Sequence, residues 1–178
     1  MSYSLSMNPQ ERHYLRDLAK RQLDYANESI MAERTALWYR HNALRGERPV
    51  IVMEMGTFEA DMLPPPQCTS PAAVEIEHEL QRHIVNYEEI GDDKVVPATF
   101  PVYWQIDIDE FGVEIPTEHG VDARGRTVGY HWQHPIKTLK EDLGRLKPAT
   151  FSVDRAGTLA WKTYVEETLG DILPVEIK

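Results

Sequence analysis

The sequence predicts an α/β protein in which a helical arm, residues 1–46, precedes an incomplete parallel sheet within residues 47–178. Two observations support this fold class. Apolar residues recur at helical spacing through the first 46 residues, which is typical of amphipathic helices. Further along the chain, three short apolar runs rich in β-branched residues have the composition of strands that are buried on both faces, as in parallel sheets.

The arm is predicted to contain two helices. Asn8 is the expected N-cap of the first helix, with Pro9 in the first helical position and Glu11 in the first turn. The apolar stripe of this helix consists of Leu15, Leu18, Ala19, Gln22, Leu23 and Ala26. The second helix is expected in ESIMAERTALWYRHNAL and should end near Gly46. Because these helices carry apolar residues at helical spacing, we expect the arm to pack on the α/β part.

A strand, a helix and a second strand follow the arm. RPVIVMEMG, bounded by Pro49 and Gly56, is the first predicted strand, and the proline-rich loop MLPPPQCTSP separates it from a helix that begins at Ser70 and Pro71. Gly91 should end that helix, and DKVVPATFPVYW is the second predicted strand. This order makes a βαβ unit, so the strands should be parallel.

The remaining residues are predicted to form a flap, two helices and a third strand. IDIDEFGVEIP is typical of an irregular excursion or a short hairpin, and EHGVDARGRTVGYHW of two paired strands, which places the flap around residues 106–135. PIKTLKEDLGRLK predicts a short helix, and SVDRAGTLAWKTYVEETLG a longer one with Asp154 as N-cap that ends at Gly170. ILPVEIK is the third strand. Three strands would leave apolar edges unpaired, whereas a closed barrel needs eight strands and about 200–250 residues, so we expect the first part of a larger α/β architecture.

Composition and charge limit the classes of function. Hydrophobic residues make up 42% of the 178 residues and aromatic residues 9%, which is enough for a sizeable core. The formal net charge of −10 argues against nucleic acid or an anionic membrane as the main partner. Cys68 is the single cysteine, so this chain alone makes neither an intramolecular disulfide nor a thiolate zinc site. With neither a secretory signal nor an apolar run of membrane-spanning length, the sequence predicts a soluble cytoplasmic protein.

The ordered segments RPVIVMEMGTFEADMLP, GDDKVVPATFPVYW, FGVEI and GDILPVEIK resemble the N-terminal part of the uroporphyrinogen decarboxylase superfamily. The resemblance extends from about Leu15 to Lys178. It is strongest to uncharacterised, long-armed members on the side of the corrinoid-linked methyltransferases. The resemblance implies the first βα units of a TIM (β/α)8-type barrel, incomplete in this chain, with the active site at the carboxyl ends of the strands.

Two departures from the superfamily limit the substrate and the cofactor. Decarboxylases carry the arginine-rich segment MRQAGRYLPEY after the first strand, where this chain has MEMGTFEADMLP, with Glu54 in the place of the first arginine and Glu59 and Asp61 nearby. These carboxylates would repel the propionates of a porphyrinogen, so we reject that substrate. Methyltransferase members hold zinc with residues from later strands. Zinc and a corrinoid partner are therefore expected only for a full-length relative, and no cofactor is expected in this chain.

The candidate substrate-binding residues lie at the ends of the first two predicted strands. Glu54 is either a base or hydrogen-bond acceptor for a substrate, or a carboxylate paired with a loop arginine. Thr99, Phe100, Tyr103 and Trp104 either line a pocket for a small aromatic or methoxylated molecule, or pack beneath the arm. We identify no catalytic residue and no metal ligand, since the histidines of YHWQH are expected to be flap residues.

Two functions lead the alternatives that the sequence leaves open, and a third, a complete small enzyme with Glu54 as base, has no identifiable partner group. The first is the N-terminal portion of a uroporphyrinogen-decarboxylase-like protein, related to the methyltransferases. Such a chain is not a competent enzyme alone, and its activity on a small-molecule substrate would require the missing strands or a second chain that supplies them. The alternative is a small stand-alone module that binds partners and self-associates, with the arm and flap covering the sheet edges.

Overall fold

The computed structural model describes residues 4–56 and 58–178. These residues form two compact units, one made of residues up to Trp104 together with Ala156–Lys178, and the other of Gln105–Arg155. The helices and strands, in chain order, are α1 Pro9–Ala26, α2 Ser29–Asn42, α3 Glu59–Met62, α4 Pro71–Val85, β1 Phe100–Val102, β2 Ile106–Asp109, β3 Thr117–Val121, β4 Thr127–Trp132, α5 Leu139–Asp142, β5 Thr150–Val153, α6 Arg155–Leu169 and β6 Val175–Ile177.

The first unit contains a two-stranded parallel sheet. β1 pairs with β6, with Phe100 opposite Val175 and Val102 opposite Ile177. The prediction that the second and third apolar runs form parallel strands is therefore confirmed, and the protein is mixed α/β. Each sheet in the described part of the chain has two strands, and none closes into a barrel.

The first predicted strand, RPVIVMEMG, is not a strand in this structure. The amides of Ile51 and Met53 donate to the carboxylates of Asp93 (2.9 Å) and Asp92 (2.7 Å) instead of to the carbonyls of a neighbouring strand. Ile51 is 66% exposed, although the apolar run predicted burial on both faces. An apolar run indicates that a segment can be buried, but it does not supply the second strand with which the segment would pair.

Three helices pack on the parallel sheet around one apolar core. Its members are Leu15, Leu18 and Ala19 of α1, Ala72, Ala73, Ile76, Leu80 and Ile84 of α4, Trp161, Val165 and Leu169 of α6, Phe100 and Val102 of β1, Val175 of β6, and Cys68 and Leu173 of the loops. Most of the stripe predicted for the first arm helix is thus confirmed, because Leu15, Leu18 and Ala19 belong to this core and Leu23 packs against it. The first arm helix is therefore part of the core of the first unit.

The helix ends follow from local side-chain chemistry. The Asn8 side chain accepts hydrogen bonds from the amides of Gln10 and Glu11, and the Glu11 carboxylate accepts one from the amide of Asn8, so the predicted N-cap of α1 is a complete capping box. α4 continues as one π-helical turn, Asn86–Ile90, and ends at Gly91, whose φ of 63° is left-handed as expected for a glycine stop.

The second unit consists mainly of two antiparallel pairs. β2 pairs with β5, placing Ile106 opposite Val153 and Ile108 opposite Phe151. These four side chains lie on one face of the pair, which we call the ladder face. Sequence reasoning expected an irregular excursion or a short local hairpin here, and missed β5 because the pairing joins distant segments. Ile106 is 51%, Ile108 56% and Phe151 75% exposed.

The predicted flap hairpin is present. β3 and β4 pair antiparallel, with Thr117 opposite Trp132 and an irregularity in register between His119 and Gly120. Every residue of both strands is exposed. The second unit therefore buries little of its own apolar surface.

Glu11 connects the start of α1 to the start of α4. Its side chain accepts hydrogen bonds from the amides of Asn8 (2.9 Å), Thr69 (2.7 Å) and Ser70 (2.9 Å) and from the hydroxyls of Thr69 (3.1 Å) and Ser70 (2.6 Å). The Ser70 hydroxyl and the surrounding amides lower the pKa of Glu11 to about 2. The residue is only 6% exposed, so the five donors replace the water that a buried carboxylate loses.

We predict that Glu11→Gln lowers the free energy of unfolding at pH 7 by about 2 kcal/mol, because hydrogen bonds to a charged acceptor are replaced by weaker ones. The folded pKa lies below the ordinary value of 4.5, so the stabilisation is fully present above pH 4.5 and is lost as the pH falls toward 2. Urea denaturation at pH 7 and pH 3 measures both effects. Asp24→Asn, at an exposed position of the same helix, should change stability by less than about 0.5 kcal/mol. An unchanged pH dependence in Glu11→Gln would contradict this role.

Candidate functional site

The predicted substrate-binding residues lie in different environments. Glu54 is exposed, in the segment between the arm and α3. Phe100 is 3% exposed and belongs to the core, which is the packing alternative for this residue. Thr99 is half-buried, and so is Trp104, which lies two residues after the end of β1. Substrate binding by Glu54, Thr99 and Trp104 stays a prediction.

The carboxyl ends of the two parallel strands lie side by side. The amide of Lys178 donates to the carbonyl of Val102 (2.9 Å), and the amide of Trp104 donates to the carbonyl of Lys178 (3.4 Å). Tyr103 is 62% exposed. This edge therefore presents Tyr103 and Trp104, and ligands of open α/β sheets bind at such edges.

A second candidate site is the turn after α4, formed by Gly91, Asp92 and Asp93, which we call the acidic turn. Asp92 accepts hydrogen bonds from the amides of Met53 (2.7 Å) and Lys94 (3.0 Å). The left-handed Gly91 redirects the chain at the end of the helix, so that both carboxylates lie next to the segment that follows the arm. The turn thereby holds that segment in place.

Asp93 forms a bidentate pair with Arg48. The two oxygen–nitrogen distances are 2.7 and 2.6 Å, and Asp93 also accepts the amide of Ile51 at 2.9 Å. The Arg48 guanidinium, and next the Ile51 amide, hold the pKa of Asp93 well below its usual range. The carboxylate stays ionised at physiological pH and is a poor general base, because its lone pairs already accept strong hydrogen bonds.

The second arm helix is fastened to the backbone of the same turn. The indole of Trp38 donates to the carbonyl of Asp93 (2.9 Å), and the guanidinium of Arg34 donates to the carbonyl of Lys94 (2.8 Å). Arg34 also lies over the ring of Tyr87, 5.6 Å from its centroid. These contacts fix α2 on the acidic turn and leave a cleft between the two elements.

The cleft has a volume of about 580 Å³ and is lined by groups of both charges. Its lining includes Glu33, Arg34, Arg40, Glu47, Arg48, Asp92 and Asp93. Such a lining can hold a small polar molecule through paired charges. It offers little for acid–base chemistry, since Asp93 and Arg48 already neutralise each other.

The buried carboxylate of Glu77 lies next to the single cysteine, Cys68, and affects the pKa of its thiol. Glu77, 2% exposed, accepts hydrogen bonds from the Tyr14 hydroxyl (3.0 Å) and from the amides of Gln67 and Cys68 (both 2.9 Å). Burial, and next the neighbouring Glu77 carboxylate, raise the pKa of Cys68 to about 12. The thiol is therefore protonated at neutral pH and is a poor nucleophile and metal ligand.

No group of three or more histidine, cysteine, aspartate or glutamate side chains within residues 4–56 and 58–178 is placed to hold a metal ion. In the same described ranges, every helix is too short or too polar to cross a bilayer. No protein-family model matches the chain, and no curated protein or solved structure matches it either.

Sequence reasoning did not assign a role to Arg48, Asp92 or Asp93. A signal was present, because two aspartates directly follow the glycine that was predicted to end a helix. Their partners are the amides of Ile51 and Met53, which lie about forty positions earlier in the chain, so only the folded structure identifies them.

We predict that Asp93→Ala speeds hydrogen exchange at the amide of Ile51 about tenfold, and that Asp92→Ala does the same at the amide of Met53. Each variant removes the acceptor of one amide and leaves the other in place. Residue-resolved exchange measures both. Asp107→Ala, in exposed β2, should affect neither amide. Equal acceleration at both amides in both aspartate variants would show instead that the acidic turn opens as one unit.

Proposed function

We propose that this chain is the N-terminal portion of a larger α/β protein of the uroporphyrinogen decarboxylase kind, closest to the corrinoid-linked methyltransferases. In this proposal, β1 and β6 are neighbouring strands of a (β/α)8 barrel, and the arm lies across the start of that barrel. The chain alone is not a competent enzyme, because the remaining strands come from elsewhere in the protein or from a second chain.

The observation that carries this proposal is the parallel pair itself. In the described residues, β1 and β6 pair with no strand other than each other, so each is an edge strand. Parallel strands are found almost entirely inside larger sheets that are covered on both faces, and an unpaired edge readily accepts another strand. The unpaired RPVIVMEMG segment has the composition of one more such strand.

Further support comes from the second unit. Apolar side chains that a finished fold would cover are exposed there. The most exposed of them are Ile106, Ile108, Phe111, Val121, Tyr130, Trp132, Leu139, Leu143 and Phe151. Exposed apolar surface on this scale is typical of an interaction surface that another part of a protein covers.

Under this proposal, the carboxyl edge of the sheet would face the substrate. Trp104 and Thr99 would line one side of a small-molecule pocket, and Glu54 would accept a hydrogen bond from the substrate. Zinc and a corrinoid partner would belong to the full-length protein, with zinc ligands supplied by strands other than β1 and β6. The acidic turn would keep the segment that contains Glu54 close to the arm.

A stand-alone, self-associating module is the second proposal, and the ladder face supports it. Two copies that stack this face would cover four apolar residues each, in a directly paired register. The two proposals differ in what covers the face, either further chain of the same fold or a second copy.

We predict that the purified chain binds a hydrophobic dye strongly and has neither methyl-transfer nor decarboxylase activity. The unpaired strands and the ladder face would be accessible to the dye. Size-exclusion chromatography with light scattering and dye fluorescence measure both properties. A monodisperse oligomer with little dye binding would favour the stand-alone module. Activity without a second polypeptide would overturn the leading proposal.

We also predict that Ile108→Thr and Phe151→Thr each lower dye binding while changing the free energy of unfolding by less than about 1 kcal/mol. Both side chains are exposed, so little burial is lost when they become polar. Val102→Thr, a polar change at a core position that is 1% exposed, is the matched control and should cost about 2 kcal/mol. A similar loss in the two ladder variants would mean that the chain itself already covers the ladder face.

A further inference from the structure

A leucine, Leu44, occupies the left-handed position at the C-terminal end of α2, where glycine is usual. The amide of Arg45 donates to the carbonyl of Arg40 (2.8 Å), and the amide of Leu44 donates to the carbonyl of His41 (3.0 Å). This pair of bonds defines a Schellman motif in which Leu44 has the left-handed position, with φ of 57°. That position favours glycine, because a side chain there clashes with the backbone, and Gly46 two residues later does not fill it.

Packing of the Leu44 side chain against its own chain does not offset this strain. Its side chain is 95% exposed, the largest exposed fraction among the described large hydrophobic residues. In most Schellman motifs the residues in the positions of Arg40 and Arg45 are apolar and contact each other. Here both are exposed arginines, so the helix ends in an apolar side chain flanked by two positive charges. We call Leu44, Arg40 and Arg45 the knob.

A cleft elsewhere in the same unit has the complementary chemistry. Its volume is about 640 Å³, and it lies where α3 and the end of α4 meet. Its apolar and acidic lining residues include Met62, Leu63, Ile84, Asp61, Glu88 and Glu89. We call this cleft the socket. Leu44 does not line it, so the socket of one chain is open to a group from outside that chain.

The socket is also lined by charged side chains. Glu88 is held by the guanidinium of Arg21, which lines the socket too, and by the hydroxyl of Tyr25. Glu89 is the next residue and is exposed. The apolar lining that a group from outside can reach includes Met62 and Leu63, which are half-buried, whereas Ile84 belongs to the core. An apolar group with basic flanks would meet both parts of this surface at once.

We infer that the knob of one copy of this chain docks in the socket of a second copy, with Leu44 against Met62 and Leu63 and with Arg45 beside Glu89. Charge favours this occupant. The stretch YRHNALR contains two arginines and no acidic residue, whereas three carboxylates and one arginine line the socket, so the two local surfaces attract each other. The net charge of −10 opposes an anionic bilayer or a nucleic acid. Every copy has both parts, and the contact is independent of the open sheet edges, so it does not rest on the proposed function.

The first test is Leu44→Gly, measured by sedimentation velocity. Because a contact made by one apolar side chain and its flanking charges predicts weak association, the concentration series extends to about 1 mM. Removing the side chain should raise the dissociation constant about tenfold or more. The same change relieves the left-handed strain and should raise Tm by about 2 to 4 °C. Leu44→Asn, which also tolerates this conformation, should weaken association in the same way. A lower Tm with unchanged association would overturn the inference.

The matched control is Phe111→Gly. Phe111 is the other described residue besides glycine with a left-handed φ, 65°, and it is 56% exposed. The substitution removes an exposed apolar side chain and similar strain in the second unit. We expect a higher Tm and unchanged association. Equal weakening by Phe111→Gly and Leu44→Gly would show that association depends on general apolar exposure, which overturns the specific contact.

Charge reversal tests whether the knob and the socket touch each other. Arg45→Glu and Glu89→Arg should each weaken self-association, and the double variant should associate again, because its reversed knob fits the reversed socket of another copy. Failure of the double variant to associate would overturn the contact, as would a wild-type chain that stays monomeric throughout the series. Binding to phosphatidylserine vesicles that Leu44→Gly abolishes would also overturn it, by assigning the knob to a lipid surface.

Discussion

The charge of Glu11 is the constraint on which the first unit depends. A carboxylate that is 6% exposed must find hydrogen-bond donors within the protein, and its five donors come from the cap of α1 and from Thr69 and Ser70 at the start of α4. All five hydrogen bonds require the starts of the two helices to lie next to each other. Once that placement is set, the stripes of α1 and α4 face the same core. Glu77 acts in parallel from the middle of α4, by holding the loop that carries Cys68.

Four acidic residues of the first unit accept hydrogen bonds from backbone amides. Glu11, Glu77 and Asp92 each accept at least two, and Asp93 accepts one together with the bidentate pair from Arg48. For Glu11 and Asp93 these hydrogen bonds lower the pKa, which stabilises the ionised carboxylate and makes it a poor proton acceptor. This explains how a chain rich in aspartate and glutamate organises its loops while offering no evident acid–base pair among the described residues.

The two units differ in how much of their apolar surface is buried. The first encloses an apolar core between three helices and a parallel pair, whereas the second leaves the ladder face and the aromatic residues of the β3–β4 hairpin exposed. Leu44, with a left-handed φ, belongs to the first unit but is also exposed, and its side chain contributes little to the packing of its own chain. Ordered apolar surface that stays exposed is typical of surface that a partner covers. It lies at different places in the two units.

Helix positions and ends were determined by the sequence, because the chemistry that sets them is local. Asn8 and Glu11 are three residues apart and cap α1 through their own backbone, and Gly91 ends the helix after α4 by its own freedom at positive φ. The flap hairpin and the parallel pairing of β1 with β6 were also predictable, from short turns and from β-branched runs. Tertiary structure alone decided the pairing of β2 with β5, the amide contacts of Asp92 and Asp93, and the failure of RPVIVMEMG to become a strand. In each of these cases the decisive partner lies tens of residues away, and a hydrogen-bonding or apolar pattern in one segment carries no information about which distant segment will meet it.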